Sequence, residues 1–207
     1  MLVVHHLGMS QSDRIVWLCE ELGIPYELRR YERDAETRLA PPEYRALHPA
    51  GTAPVITDGD LVLGESGAVM DYIVARYGGG WLTLGPDDAD YTDFLYWYHF
   101  GNGSLMPAMM MVAGGEGPFN ELMRGRIDRA LAHLDAHLGD GRTWLAGEEF
   151  TLADIINAFP LTIMRSFVAI DISPYPNIGP YLRRLVDRPG YRAAMAKADP
   201  DIVPNIS

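Results

Sequence analysis

Val55-Ile56-Thr57-Asp58-Gly59-Asp60-Leu61-Val62-Leu63 reads as strand, tight turn, strand. Two apolar runs flank an Asp-Gly pair, a strong short-range signal for a β-hairpin. Toward the N-terminus, Leu2-Val3-Val4-His5-His6 is a short apolar run suited to a buried strand. Ile15, Leu18, Cys19 and Leu22 then recur at helical spacing, and Gly23 follows as a stop. Tyr26 to Arg30 supplies another strand. A weaker helix covers about Glu36 to Ala46, with Pro41 and Pro42 near its start or breaking it. Beyond the hairpin, Val69, Met70, Ile73, Val74 and Tyr77 stripe one face of a helix. The order is β-α-β-α-β-β-α. A strand–helix–strand unit implies a parallel crossover, and the hairpin adds an antiparallel edge.

Thioredoxin-like domains have that order, so residues 1–78 read as an α/β thioredoxin-like domain. Gly78-Gly79-Gly80 and Pro86 bracket a linker. After it the pattern is helical throughout, with helices expected over about 89–113, 120–138, 152–165, 178–187 and 191–198. Residues 86–207 therefore read as an all-α second domain. Apolar residues are 48% of the 207 and charged residues 22%, a composition that supports a packed core and excludes a disordered chain. No run of apolar residues is long enough for a transmembrane helix. Met1 to Ser10 lacks the basic flank and long apolar stretch of a secretory signal, so the expected location is cytosolic. A net charge of −11 would be repelled by a phosphate backbone, which argues against nucleic acid as a partner. The single cysteine, Cys19, cannot form an internal disulfide; it falls on the apolar stripe of its helix and reads as core.

Three short stretches carry residue types suited to chemistry. Ser10 lies between the first strand and the first helix, and Ser10 with Asp13 has capping-box spacing. Ser10 either caps the helix or uses the same position to donate to an anion, where the helix dipole adds favourable potential. A thiolate there would be stabilised. Lowering a thiol pKa by two units requires about 2.7 kcal/mol, the order that one charge-assisted hydrogen bond and a helix terminus supply. Ser12 competes for either role. Pro54, before the hairpin's first strand, cannot donate to a sheet ladder. A cis Ala53-Pro54 bond would leave the Ala53 backbone groups to pair with an extended peptide; an ordinary trans turn is the alternative. Glu65-Ser66 opens the next helix, either as a simple cap or as an amino-acid clamp. In the clamp, Ser66 and helix N–H groups hold a carboxylate and Glu65 pairs with an ammonium.

These stretches together resemble the cytosolic glutathione transferases, in their serine-type, bacterial and fungal branch. Val4 through Ser10, followed by Arg14 through Tyr26, resembles the family's opening. Leu39 to Tyr44 and His48 to Val55 resemble the approach to its cis-proline, Glu65 to Val69 its γ-glutamyl motif, and Phe150 to Asp154 the capping box of its helical domain. Gly103 to Pro107 resembles one bacterial branch. The resemblance implies that Ser10 bonds the glutathione sulfur, that Ala53 pairs with the cysteinyl unit beside cis-Pro54, and that Glu65 and Ser66 hold the γ-glutamyl end. Thr151 and Asp154 match a folding motif. Members often carry Lys at the position of Thr52, contacting the glycine carboxylate. Thr52 donates only a neutral hydrogen bond, which leaves Arg38, Arg45 and His48 as the cations at hand.

The resemblance also implies a homodimer and an apolar pocket for an electrophile, with Leu7, Tyr98, Met106, Met109 and Met110 as candidate lining; a methionine stripe on a helix otherwise reads as core. The expected reaction is conjugation of glutathione to an apolar electrophile. Dehalogenation, isomerisation, ether cleavage and peroxide reduction use the same thiolate, and a non-catalytic binding or scaffold protein is the rival from another class. His133 and His137 lie four apart on a helix without a third ligand, so no metal is expected. His5 and His6 read as strand residues rather than catalytic ones.

Overall fold

The computed structural model describes all 207 residues, Met1–Ser207. The Asp-Gly turn forms between strands β3 (Val55–Asp58) and β4 (Leu61–Gly64), with Gly59 at φ +60°, a conformation glycine adopts without strain. β1 (Leu2–Leu7) pairs parallel with β2 (Glu27–Tyr31) and antiparallel with β3, giving the order β2-β1-β3-β4. β1 is buried along its whole length, as a central strand should be. Helix α1 (Asp13–Leu22) buries Ile15, Val16, Leu18 and Cys19, and stops where Gly23 turns left-handed and Ile24 N–H reaches the Cys19 carbonyl. Burial pushes the Cys19 thiol far up, so it stays protonated and inert.

The expected helix over 36–46 shrinks to α2 (Pro42–Arg45). Asp34 starts one turn, accepting from Glu36 N–H and Thr37 N–H at 3.1 and 2.7 Å, but Arg38 turns left-handed at φ +60° and Pro41 and Pro42 have no N–H to continue a ladder. Tyr44 on α2 is fully buried and packs with Leu7 and Val55. Helix α3 (Ser66–Tyr77) follows the hairpin directly. Its Tyr72 and Tyr77 hydroxyls donate to Asp58, which the Met1 amine also approaches.

The chain divides into two compact units: residues 1–81 with 188–202, and residues 82–187 with 203–207. The second set of the first unit corrects the sequence reading, which gave 86–207 wholly to the helical domain. Helix α9 (Pro189–Ala198) packs on α1, because α1 offers it partners: Trp17 meets Tyr191 edge-on, Glu21 takes both Arg188 donors at 2.8 Å, and Glu20 pairs with Lys197.

The second unit holds α4 (Tyr91–Phe100), α5 (Met106–Val112), α6 (Pro118–Leu138), α7 (Leu152–Leu161) and α8 (Ile178–Asp187). The single helix expected over 89–113 is one helical run with a π-helical turn at Gly101–Leu105. Pro107 has no N–H to give the preceding turn, and Asn157 donates to the Trp97 carbonyl at 2.7 Å. α7 ends at Leu161 rather than 165. Pro160 removes one ladder bond, and Thr162 returns its hydroxyl to the Ala158 carbonyl. The capping box read at Thr151 and Asp154 is formed in full.

Candidate active site

The register gathers the three stretches at one end of the sheet. His5 pairs with Val55 and Val55 with Gly64, so the exit of β1, the entry of β3 and the exit of β4 lie together. Ser10 follows the first, Ala53-Pro54 precedes the second, and Glu65-Ser66 follows the third. The Ala53-Pro54 bond is cis. Ala53 stands outside the ladder, which begins at Val55. Thr52 and Glu65 are exposed; Ser10 and Ser66 are buried.

The expected capping box of Ser10 with Asp13 does not form. The helix begins at Asp13 with Ser12 at the cap position, and neither serine caps it through its side chain. Ser12 is turned inward instead. Its Oγ accepts from Leu7 N–H at 3.1 Å and lies 2.9 Å from His6 Nδ1 and 2.8 Å from Ser10 Oγ. Ser10 Oγ accepts from Ser12 N–H at 3.3 Å. His6 is a buried strand residue, as expected, yet it also joins the serines to Asp199, with Nε2 3.1 Å from Oδ2 and off the in-line direction. Asp199 further accepts from Met9 N–H at 3.2 Å. Arg33 holds the same loop through the Gly8 and Met9 carbonyls.

At α3, the Ser66 hydroxyl donates to Gln11 Oε1 at 3.2 Å. Arg14, fully buried, donates to Gln11 Oε1 at 3.1 Å and reaches Ser66 Oγ at 3.4 Å. Gln11 and Arg14 thus tie the Ser10 loop to the start of α3. Met9, Arg38 and Glu65 have positive φ of 53°, 60° and 68°. Such non-glycine conformations cost about 1–3 kcal/mol each and concentrate at ligand sites. Met9 directly precedes Ser10, Glu65 directly precedes Ser66, and Arg38 Nη2 lies 3.5 Å from Met9 Sδ.

Burial pushes Asp13 up to about 7, against the pull of Arg14 and His6. Burial acts on Asp199 in the same sense, but His6, Met9 N–H and Arg30 outweigh it and hold that carboxyl below its usual range. Of the three cations considered near Thr52, Arg45 lies with its stem against Gly51, 3.9 Å from where a Cβ would sit. His48 turns its ring onto Gly64 and accepts from Ala50 N–H.

The apolar candidates divide. Leu7 is core in the first unit, beside Tyr44 and Val55. Tyr98 and Met109 are core in the second, Tyr98 stacked on Phe94 at 5.6 Å; Met106 is half-buried and Met110 exposed. His137 is bonded by Nε2 to the Leu145 carbonyl, and the rings of His133 and His137 lie on Trp97. Four residues of the site escaped the sequence reading: His6, Gln11, Arg14 and Asp199. Arg14, a charge on the buried side of α1, left a faint signal. Asp199 left none, since it reaches the site from nearly the whole chain away.

The glutathione S-transferase N-terminal domain family matches residues 8–76, and the glutathione S-transferase C-terminal domain family matches residues 106–189. The chain is 33% identical to glutathione S-transferase 3 of Schizosaccharomyces pombe, covering 96% of this chain and 88% of that protein. A crystal structure of a glutathione S-transferase from Actinobacillus pleuropneumoniae superposes with a TM-score of 0.88 at 35% identity, over 96% of this chain and 93% of that one. A family member from Pseudomonas fluorescens, solved with two glutathiones bound, gives a TM-score of 0.78 at 27% identity, over 94% and 92%.

Proposed function

The chain belongs to the glutathione S-transferase family, and we propose that it binds glutathione at this end of the sheet and transfers its thiolate to apolar electrophiles. The observation that carries the reading is the gathering of Ser10, Ala53-Pro54 and Ser66 by the strand register. The glutathione-bound relative from Pseudomonas fluorescens supports the choice of ligand. Glutathione is an extended peptide with a carboxylate and an ammonium at its γ-glutamyl end. Ser66, Glu65 and the α3 N-terminus suit that end. The Ala53 backbone suits the cysteinyl unit by strand-like pairing. Arg45, against Gly51, supplies beside Thr52 the cation that Thr52 lacks.

Ser10, not Ser12, donates to the sulfur. Ser12 Oγ is already engaged by Leu7, His6 and Ser10, which supports this choice. The thiol proton leaves to solvent, and the Ser10 hydroxyl and the α1 N-terminus stabilise the thiolate. Its lone pair forms the carbon–sulfur bond, and the leaving group departs with the electrons of the bond it breaks. Proximity supplies the rest. Exposed Tyr96, Phe119 and Leu122 suit a homodimer interface, which sedimentation would test. The chain contains no helix long and apolar enough to cross a membrane.

The test is glutathione binding by calorimetry together with turnover of a chlorinated nitrobenzene. Ser10→Ala should lower kcat roughly 100-fold while binding persists, and Arg45→Ala should raise KM for glutathione roughly tenfold. Binding without turnover across several electrophiles would favour a scaffold instead.

A further inference from the structure

Beside the Ser10 loop, the first unit holds a cleft of about 160 Å³ that glutathione binding leaves unexplained. One wall is Gly8 and Met9, another is Arg30 on β2 with Arg33 and Arg38 beyond it, and the third is the segment 199–202 that follows α9. Gly8 and Met9 directly precede Ser10, so the cleft lies one residue from the hydroxyl assigned to the sulfur. Resting on that assignment, we propose that the cleft receives a carboxylate on the second substrate, held by Arg33 and Arg38. The preferred electrophile is then a carboxylic acid with an apolar body, rather than a neutral apolar compound.

The cations of the cleft are not all matched. Arg30 has a carboxylate, Glu32, at 3.5 Å. Arg33 has none. Its Nε, Nη1 and Nη2 donate to the carbonyls of Gly8, Arg38 and Met9 at 2.9, 3.1 and 3.4 Å, which orients the guanidinium without neutralising it. One N–H on each Nη is left over. Arg38 has no carboxylate either; its Nη2 lies 3.5 Å from Met9 Sδ. Burial and the neighbouring charge of Arg38 push the Arg33 pKa down, with Tyr44 and Asp199 pulling the other way. The Asp199 oxygens are themselves taken up by Met9 N–H and His6. Asp201, the remaining acid of the cleft, is exposed and pairs with neither arginine. An anion bound to both guanidiniums relieves their mutual repulsion. A carboxylate has two oxygens to offer, in the fork geometry that guanidinium donors fit.

The walls also indicate what carries the carboxylate. Met9 and Ile202 are half-buried and Pro200 is exposed, an apolar surface in the same cleft as the guanidiniums. An inorganic anion would leave that surface wet, whereas an apolar body covers it. The carboxylate takes no part in bond-making. It fixes the electrophile beside Ser10, an orientation effect.

A chlorodinitrobenzoate and its amide, with chlorine and nitro groups at the same ring positions, form a matched pair of electrophiles. In each, the thiolate displaces chloride, which leaves with the electrons of the carbon–chlorine bond. After division by the uncatalysed rate, kcat/KM should favour the acid by about tenfold. Arg38→Gln should remove most of that preference, Arg38→Lys should keep part of it, and Asp201→Asn, which removes a competing anion, should raise it about twofold. Arg33 is the poorer target, since its loss frees the Gly8 and Met9 carbonyls and with them the Ser10 loop. Calorimetry with dinitrobenzoate and dinitrobenzamide, which carry no chlorine to displace, reads the cleft without glutathione. The acid should bind about tenfold more tightly, and Arg38→Gln should remove most of the difference. Equal efficiency toward acid and amide overturns the proposal. So does an Arg38→Gln variant whose KM for glutathione rises while its preference for the acid stays, a result that gives Arg38 to the glycine end of glutathione. If neither electrophile turns over, the functional reading fails and the calorimetry still decides: an acid preference lost in Arg38→Gln supports the carboxylate site, and equal binding of acid and amide overturns it.

Discussion

Replacing Asp154 with alanine removes the acceptor at the centre of the second unit. The carboxylate is fully buried and accepts from Leu145 N–H at 3.0 Å, the Tyr181 hydroxyl at 3.0 Å and Thr151 N–H at 2.9 Å. Leu145, Tyr181 and Thr151 are buried as well, so alanine leaves three donors with neither partner nor water. At roughly 1–3 kcal/mol for each, the loss is about 6 kcal/mol. One term opposes it. Burial pushes Asp154 up to about 6 despite these bonds, so carrying its charge at neutral pH costs about 3 kcal/mol, which alanine relieves. The net expected destabilisation is about 3 kcal/mol, read by urea unfolding at fixed protein concentration. The raised pKa adds a second signature. Its stabilising contribution is complete below the unfolded carboxylate pKa and is lost as pH rises through about 6. Asp154→Asn keeps the volume but cannot titrate. Wild-type stability relative to this variant should therefore fall by about 1 kcal/mol between about pH 5 and 7. An alanine variant within about 1 kcal/mol of wild type, or a pH-independent difference from asparagine, would refute the reasoning.

Gly190→Ala would set a Cβ 2.6 Å from the Glu21 carboxyl, which Trp17 and Arg188 hold in place. A loss of about 1–3 kcal/mol is expected, with faster hydrogen exchange in α9, and adding Glu21→Ala should make the pair less than additive. Gly101→Ala meets Asn157 Oδ1 at 2.9 Å and the Ile156 carbonyl at 3.1 Å. The overpacking cost of about 1–3 kcal/mol should exceed the helix-propensity gain of about 1 kcal/mol and lower the thermal midpoint. Ser12→Ala leaves Leu7 N–H and His6 Nδ1 without their buried partner, so it should cost about 2 kcal/mol in urea unfolding and reduce turnover as well.

The sequence by itself determined the features whose causes lie within a few residues. The Asp-Gly hairpin, the order of strands and helices before residue 78 and the Thr151–Asp154 box all follow from period, turn chemistry and capping. So does the placing of three candidate stretches between elements, where loops reach a ligand. Even local signals fail where the backbone leaves the helical region, as it does at Arg38, φ +60°, within the expected helix over 36–46.

Only the tertiary structure decided what the serines do. Ser10 and Ser12 sit two residues apart at one helix start and are alike in propensity. What separates them is that His6 and Leu7 claim one of them from the strand. The attachment of α9 to the first unit, and with it Asp199 to His6, depends on side chains of α1 meeting a segment nearly a whole chain distant. No spacing encodes that meeting. It arises because a buried polar group is stable only beside a partner, and packing alone decides which partner arrives.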